Sequence, residues 1–272
     1  VFRFIPGEVP KLDQLHVPPI LKKFCDYHQG MVLVTGSTGT GKSTTLAAMI
    51  DYLNETRNLN IISLEDPIEF VHPSKQSQVI QREVGTHVTS FADGVRSAMR
   101  EDPDVILVGE LRDAETISMA MTAAETGHLV LGTLHTTGAV KTIDRIIDAL
   151  PGELREQTKG FLAMSLKAVV TQVLVKTPDG RGRRAILEIL VNNRAIAKLI
   201  TTDQTHQIAS QLQMGRDMGM QTMDSALLEA INNKEIDPDD AIRHATDKRK
   251  FQRFVTNTDM VPILDIGDQS KV

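Results

Sequence analysis

One eight-residue motif constrains this chain more than any other feature of its sequence. Residues 36–43 read GSTGTGKS and match the phosphate-binding pattern G-x-x-x-x-G-K-[ST] at every defined position. An apolar run of strand length, 31–35, precedes the motif, and a helix-like stretch, 43–54, follows it. In that setting the backbone N–H groups of the loop curl around phosphate oxygens, and the positive end of the helix adds to their field. The motif therefore predicts an α/β fold that binds a nucleotide.

The loop supplies candidate ligands for phosphate and for a metal ion. We expect Lys42 to reach the β- and γ-phosphates and Ser43 to hold Mg²⁺, so the expected cofactors are ATP and Mg²⁺. The nucleotide-binding residues expected from the motif are Gly36, Ser37, Thr38, Gly39, Thr40, Gly41, Lys42, Ser43 and Thr44.

Strand-like and helix-like segments alternate through the first half of the chain. The strand-like runs are 31–35, 61–64, 105–108 and 129–134, and the helix-like stretches are 43–54, 90–100, 114–125 and 141–150. This alternation predicts a mostly parallel sheet with helices on both faces. Further on, the sequence predicts a helix at 152–170 and an antiparallel hairpin of 172–177 with 183–191 around a Pro-Asp-Gly turn. Amphipathic helices are then predicted at 195–200, 205–214, 223–232 and 238–244.

Carboxylates and a histidine follow the predicted strands at the end where ligands bind in open parallel sheets. Glu65 and Glu69 follow the second strand, Glu110 the third and His135 the fourth. Gly109 stands where the Mg²⁺-linked Asp of a Walker B segment is often found. Glu69 and Glu110 are alternatives for aligning the attacking water, and Glu110 is also a candidate to contact Mg²⁺ through a water. His135 is placed to hydrogen-bond a γ-phosphate.

His128 has a less specific setting than His135. It lies at a helix–strand joint beside Gly127, where capping of the preceding helix is a sufficient explanation for a histidine.

Composition excludes several function classes. The single cysteine, Cys25, allows neither an internal disulfide nor a cluster of thiolate ligands, and it fits a reducing compartment. No apolar run approaches the ~20 residues that cross a membrane, and residues 1–6 lack the layout of a signal peptide. A net charge of −5 and an aromatic content of 4% weigh against direct binding of nucleic acid.

Several motifs together resemble one protein family. They are GSTGTGKSTTLAAMIDYLN (36–54), SLEDPIEFVH (63–72), QREVG (81–85), REDPDVILVGELRD (100–113), AAETGHLVLGTLHT (123–136) and GMQTMD (219–224). On these motifs the chain resembles the secretion-type hexameric ATPases, and within them the type IV pilus retraction motors of the PilT and PilU kind. The resemblance implies a RecA-like P-loop NTPase core, preceded by a PAS-like domain and extended by the antiparallel hairpin and a C-terminal helical subdomain.

The resemblance also assigns roles to residues. Residues 36–43 would be Walker A, 65–69 the Asp box and 109–110 an atypical Walker B, while His128 and His135 would form a His-box pair. The catalytic residues implied are Glu69, Glu110, His135 and His128.

The resemblance further implies how the chain is divided and where it works. The expected units are a remnant of the N-terminal domain and its linker at 1–15, an ATPase core at 16–192, a helical subdomain at 193–255 and a loose tail at 256–272. The implied activity is Mg²⁺-dependent ATP hydrolysis in a homo-hexameric ring that retracts type IV pili. The ring would lie at the cytoplasmic face of the inner membrane and contact a pilus platform protein and a paralogous retraction ATPase. The alternative is an ATP-binding accessory subunit with little activity alone.

Two departures from the family pattern bear on these implications. A single cysteine cannot form the four-cysteine zinc module of pilus-extension relatives, which favours retraction. The stretch 195–201, AIAKLIT, aligns with the retraction-motor motif AIRNLIR but lacks both arginines.

The hairpin resembles PilU and the TLHT and GELRD segments resemble PilT, so both paralogue types stay open. In the family, N-terminal-domain arginines help to close the active site, which implies weak activity for this chain alone.

Overall fold

The structure, a computed structural model, describes residues 8–256. Residues 1–7 of the expected N-terminal remnant and linker (1–15) and residues 257–272 of the expected tail (256–272) lie outside this range. The helices are α1 (Ile20–Cys25), α2 (Lys42–Thr56), α3 (Phe91–Ala98), α4 (Ala114–Glu125), α5 (Ala139–Ala149), α6 (Arg155–Ser165), α7 (Arg194–Thr201), α8 (Ile208–Met214), α9 (Met223–Asn232) and α10 (Pro238–Ala241). The strands are β1 (Gly30–Thr35), β2 (Asn60–Glu65), β3 (Gln78–Glu83), β4 (Val105–Val108), β5 (Leu129–Leu134), β6 (Leu166–Lys176) and β7 (Arg183–Val191).

All seven strands form one sheet in the order β3-β2-β4-β5-β1-β6-β7. The pairs from β3 to β6 are parallel, and β7 is antiparallel to β6. The predicted parallel sheet and its appended hairpin are therefore confirmed. Because parallel strands point the same way, the loops after β1, β2, β4 and β5 meet at one edge of the sheet.

Successive side chains of a strand point to opposite faces of the sheet, so the apolar core is divided between the two faces. Met31 and Leu33 of β1 pack with α3 to α8, whereas Val32 and Val34 pack with α1 and α2. Helices thus cover both faces, as the continuous apolar strands predict.

The far part of the hairpin has a smaller core of its own. Val175 of β6 and Ile186 of β7 pack against Leu227 of α9, Ile242 and Phe251, all of which are buried. The C-terminal helices are therefore attached to the sheet through β6 and β7, next to the strand that leads into the phosphate loop.

The helix predicted at 152–170 is wrong in its last part. A 3₁₀ turn at Gly152–Leu154 leads into α6, which ends at Ser165, and β6 begins at once with Leu166. Parallel pairing of β6 with β1 satisfies the backbone there, so tertiary contacts overrule the local helical pattern.

Two elements, β3 and α1, have no counterpart in the sequence predictions. β3 pairs only with β2 at the edge of the sheet and contains just two apolar residues, Val79 and Ile80. α1 is six residues long and follows two consecutive prolines, Pro18 and Pro19. Neither element is long or regular enough to show a periodic apolar pattern.

Candidate functional site

A cavity of about 620 Å³ opens at the edge of the sheet where β1, β2, β4 and β5 end. The phosphate loop lines one side, including Gly39, Lys42 and Ser43. The opposite side brings together Glu65, Asp66, Glu69, Glu110, Arg112 and His135. The structure thus gathers the phosphate loop and three of the four predicted catalytic residues, Glu69, Glu110 and His135, around one cavity.

Lys42 is the first residue of α2 and is held inside the loop. Its side chain is 8% exposed, and its Nζ donates to the carbonyl oxygens of Gly36 at 2.9 Å and Ser37 at 3.0 Å. Burial lowers the pKa of Lys42, while the nearby carboxylates of Glu110 and Glu69 act in the opposite direction. Both of these acceptors are neutral carbonyl groups. A phosphate would give the ammonium group anionic acceptors, which form stronger hydrogen bonds.

A chain of polar contacts joins Lys42 to Glu110 through His135. His135 Nε2 lies 3.0 Å from Glu110 Oε1, and His135 Nδ1 lies 3.5 Å from Lys42 Nζ. Because a carboxylate only accepts, Nε2 carries the hydrogen, and Nδ1 is left to accept from the ammonium. A γ-phosphate bound beside Lys42 would therefore lie close to His135 and Glu110 as well.

Arg112 pairs with the carboxylates on the same rim. Its Nε lies 2.7 Å from Glu110 Oε2, and its Nη1 lies 3.7 Å from Asp66 Oδ2. Glu110 is therefore held from both sides, by His135 and by Arg112. Its side chain is only 18% exposed, so a well-oriented carboxylate faces the cavity.

Glu65 has a different environment from Glu110. Its Oε1 accepts from Ser63 Oγ at 2.6 Å and from Gln81 Nε2 at 3.0 Å, and the backbone N–H of Glu69 also donates to this carboxylate. Burial raises the pKa of Glu65, whereas these hydrogen-bond donors lower it. Its hydrogen bonds tie the end of β2 to β3, which indicates that Glu65 shapes the loop carrying Glu69.

Close packing explains why a glycine occupies the position before Glu110. A Cβ at Gly109 would lie 3.0 Å from the carbonyl oxygen of Leu64 and 3.3 Å from the Cα of Glu65. The carbonyl oxygen of Gly109 also accepts from Thr133 Oγ1 at 2.5 Å. A side chain at this position would push against the backbone at the end of β2, and the acid that follows β4 into the cavity is Glu110.

Gln172, a residue that the sequence predictions missed, braces the phosphate loop from behind. It is 1% exposed on β6; its Nε2 donates to the carbonyl of Thr40 at 2.6 Å, and its Oε1 accepts from Thr45 Oγ1 at 2.7 Å. Gly36 approaches the same strand so closely that a Cβ would lie 2.4 Å from the carbonyl oxygen of Gln172, and its φ of +140° is unusual for other residues. The available signal was a glutamine inside the apolar run of 168–175.

We expect Gln172→Met to lower nucleotide affinity about tenfold, because two buried groups at the loop would lose their partner, each at a cost of about 1–3 kcal/mol. Thr45→Val is the matched control, since it removes only one of the two contacts and should have the smaller effect. Titration with a fluorescent ADP analogue measures both. Wild-type affinity in Gln172→Met would contradict the bracing role.

His128 does not lie at the cavity. It precedes the first residue of β5, whereas His135 follows the last, so the two are separated by a strand length of roughly 20 Å. His128 Nδ1 lies 2.9 Å from the carbonyl oxygen of Ala123 in the last turn of α4. Within one chain the structure therefore favours the capping explanation for His128 and does not bring it to His135 as a catalytic partner.

A second cavity of about 540 Å³ adjoins the first across the start of α2. Gly41, Thr44 and Leu174 line both cavities. The second is completed by the hairpin, with Thr177 and Arg183, and by the segment before α1. The second cavity therefore lies between the phosphate loop and the hairpin.

The residues of the main cavity fit a bound Mg²⁺. Mg²⁺ prefers oxygen ligands and is commonly held by one or two protein groups together with phosphates and water. The Ser43 side chain lines the same cavity as the carboxylates of Glu69 and Glu110, so hard oxygen donors are present on both sides.

Between residues 8 and 256, no helix combines the length and apolar character needed to cross a membrane.

Comparison with known proteins agrees with this architecture. The family model described as type II/IV secretion system protein matches residues 16–179. A twitching motility protein of Neisseria gonorrhoeae is 56% identical over 245 residues, which are 90% of this chain and 66% of that protein. The type IV pilus retraction ATPase PilT of Pseudomonas aeruginosa is 52% identical over 227 residues, which are 84% of this chain and 66% of PilT. The chain thus spans slightly less than two thirds of the length of these two relatives.

A solved structure shows the same fold. The crystal structure of the pilus retraction motor PilT with bound ADP superposes with a TM-score of 0.86 at 45% identity, covering 92% of this chain and 71% of that one. The expected RecA-like α/β fold of the secretion ATPases is therefore confirmed. With a family model that covers more than half of its residues, the chain belongs to the type II/IV secretion system protein family.

Proposed function

We propose that this chain is a Mg²⁺-dependent P-loop ATPase that converts ATP and water into ADP and phosphate. The observation that carries the proposal is the contact series Lys42–His135–Glu110 at the rim of the phosphate loop. Phosphoryl transfer to water depends mainly on positioning and on stabilisation of charge, and this series supplies a cation, a hydrogen-bond donor and a carboxylate together. A structural relative with bound ADP supports nucleotide binding.

The proposed division of labour follows the geometry. The loop residues 36–44 and Lys42 bind the phosphates, and Ser43 holds Mg²⁺. Glu110 aligns the attacking water, because it is fixed by His135 and Arg112 and faces the cavity. Glu69 lines the same cavity and stays the competing candidate for that role. The second cavity, which shares Gly41, Thr44 and Leu174 with the first, has the position and volume to take the nucleoside.

We further propose that the ATPase works in a homo-hexameric ring that retracts type IV pili at the cytoplasmic face of the inner membrane. The identities to a twitching motility protein and to PilT support this, over about two thirds of their length. A pilus platform protein and a paralogous retraction ATPase are the proposed partners. We propose the core as 16–192 and the helical subdomain as 193–255, with 1–15 and 256–272 as flanking segments.

The second candidate is an ATP-binding accessory subunit with little hydrolysis of its own. The loss of both arginines at the AIRNLIR-like stretch is the observation that favours it; Ala197 and Thr201 of α7 occupy those positions. Complementation of a strain that lacks its retraction ATPase separates the two candidates. Restored twitching by this gene alone supports a motor. Restoration that requires a co-expressed paralogue supports the accessory subunit.

Ser43→Ala is expected to weaken the dependence of ATP binding on Mg²⁺, because the hydroxyl is the proposed protein ligand of the ion. In the wild type, adding EDTA should lower ATP affinity about tenfold, the effect of losing a charge-assisted contact. In Ser43→Ala the ratio of affinities with and without Mg²⁺ should approach one. Isothermal titration calorimetry with Mg²⁺ and with EDTA measures this ratio. The same ratio in the wild type and in Ser43→Ala would contradict the assignment of Ser43 as the Mg²⁺ ligand.

A further inference from the structure

We propose that Glu188 is a positioning residue that couples the nucleotide site to the C-terminal helices. It would transmit the movement of the loop at His135 to the start of α9. The inference rests on the proposed function, because it requires a nucleotide phosphate to bind beside His135.

Glu188 connects the first residues of two helices. It lies on β7; its Oε1 accepts the backbone N–H of Ala139, which begins α5, at 2.9 Å. Its Oε2 accepts the backbone N–H of Met223, which begins α9, at 3.4 Å. The first N–H groups of a helix have no partner within it, and the helix dipole favours an anion there. One carboxylate therefore serves two helix starts that belong to different parts of the fold.

The charge of Glu188 is sustained by these same two donors. Burial raises the pKa of Glu188, the N–H groups of Ala139 and Met223 lower it, and the nearby carboxylate of Asp224 adds a smaller increase. A movement of either helix away from the carboxylate would leave a half-buried anion with one donor fewer. That cost opposes independent movement of the two helices.

The first of these helices is continuous with the nucleotide site. α5 follows β5 after only residues 135–138, and the first of them, His135, contacts both Glu110 and Lys42. Thr142 braces this loop, because its hydroxyl donates to the carbonyl of Gly138 at 2.8 Å and lies 2.6 Å from Thr136 Oγ1. A shift of His135 therefore shifts the start of α5 with it.

The second helix belongs to the C-terminal part of the chain. Thr222 caps α9 by accepting from the N–H of Ser225, and Gln221 exchanges two backbone hydrogen bonds with Ile189 of β7 at 2.9 and 3.0 Å. Leu227 of α9 packs in the core formed by the far part of the hairpin. The segment 219–227 thus joins β7 to the C-terminal helices, and Glu188 lies at that junction.

Hydrogen–deuterium exchange of the full chain, with and without Mg²⁺ and ATPγS, tests the coupling. In the wild type, we expect the nucleotide to slow exchange at 36–43, at 135–142 and at 219–227. The two helix starts use different oxygens of the carboxylate, and in Glu188→Gln one of these becomes an NH₂ group, a donor that would face the N–H of one helix start. In that variant we expect protection at 36–43 to persist, and the nucleotide-dependent protection at 219–227 to fall at least threefold. For ATP hydrolysis we expect kcat to fall about tenfold with KM within twofold.

Asp224→Asn is the matched control. Asp224 is also a buried carboxylate that accepts two backbone N–H groups, from Thr246 at 2.7 Å and Asp247 at 2.9 Å, but both belong to the C-terminal part. This variant should exchange faster overall yet keep its nucleotide response at 219–227, which supports the inference over a general loss of stability.

Two results would overturn the inference and leave the proposed function standing. One is a wild-type chain that is protected at 36–43 and unresponsive at 219–227. The other is a Glu188→Gln variant with the full wild-type response at 219–227. An absence of protection at 36–43 in the wild type would instead remove the proposed function, and the inference with it.

Discussion

Replacing Lys42 by alanine is expected to reduce ATP hydrolysis by at least about 10³-fold, the upper end of the loss seen when one charge-stabilising donor is removed. Nucleotide affinity should fall about 30-fold, because a buried ammonium makes charge-assisted hydrogen bonds to phosphate. Lys42 is 8% exposed, and burial lowers its pKa, so its positive charge destabilises the fold when no phosphate is bound. The free energy of unfolding without nucleotide should therefore stay the same or rise. Thermal unfolding measures the last two effects. Without nucleotide the Tm of Lys42→Ala should equal or exceed that of the wild type, and MgATP should no longer increase it.

Two variants serve as controls for Lys42→Ala. Lys42→Arg keeps the charge, but its planar guanidinium does not fit between the carbonyls of Gly36 and Ser37, so hydrolysis should stay low. Lys141→Ala removes an exposed lysine that contacts Thr137 in the neighbouring loop, and it should behave as the wild type. A Lys42→Ala variant that keeps its MgATP-induced increase in Tm would contradict the phosphate-binding role.

Replacing Glu110 by glutamine is expected to lower kcat by about 10²–10⁴-fold, the range for losing a general base, with ATP affinity within about threefold of the wild type. The amide keeps the shape of the side chain, but it loses the negative charge that pairs with Arg112 and that we propose aligns the water. Single-turnover hydrolysis and equilibrium ATP binding, measured on the same preparation, separate the two effects.

Glu69→Gln is the comparison that assigns the role. Both carboxylates line the cavity and both raise the pKa of Lys42, and Glu110 is in addition oriented by its contacts to His135 and Arg112. We expect the smaller loss of kcat from Glu69→Gln. If Glu110→Gln turned over at the wild-type rate while Glu69→Gln did not, Glu69 would be the residue that aligns the water.

The sequence was most informative where a segment is buried and regular. The strands that carry the phosphate loop, Glu110 and His135 are continuous apolar runs between helices, and their order in a parallel sheet brings their ends to one edge. The edge strand β3 lacks such a run because one side of it is partly exposed. The second half of β6 was predicted as a strand, but its first part, residues 166–170, was hidden by a local helical pattern that pairing with β1 overrules.

The supporting residues of the site could not be predicted in the same way. Gln172 and Glu188 are polar residues inside apolar strands, and only the register of β6 and β7 shows which loops and helices they reach. His128 and His135 are close in sequence, but a strand separates them, so the distance between them follows from the fold and not from the motif.

The most direct test of the central claim, that this cavity hydrolyses ATP, is phosphate release by the full chain at increasing ATP concentration with and without Mg²⁺. We predict release that saturates with ATP, depends on Mg²⁺ and disappears in Lys42→Ala. Release by the wild type that does not exceed that of Lys42→Ala at any ATP concentration would contradict it.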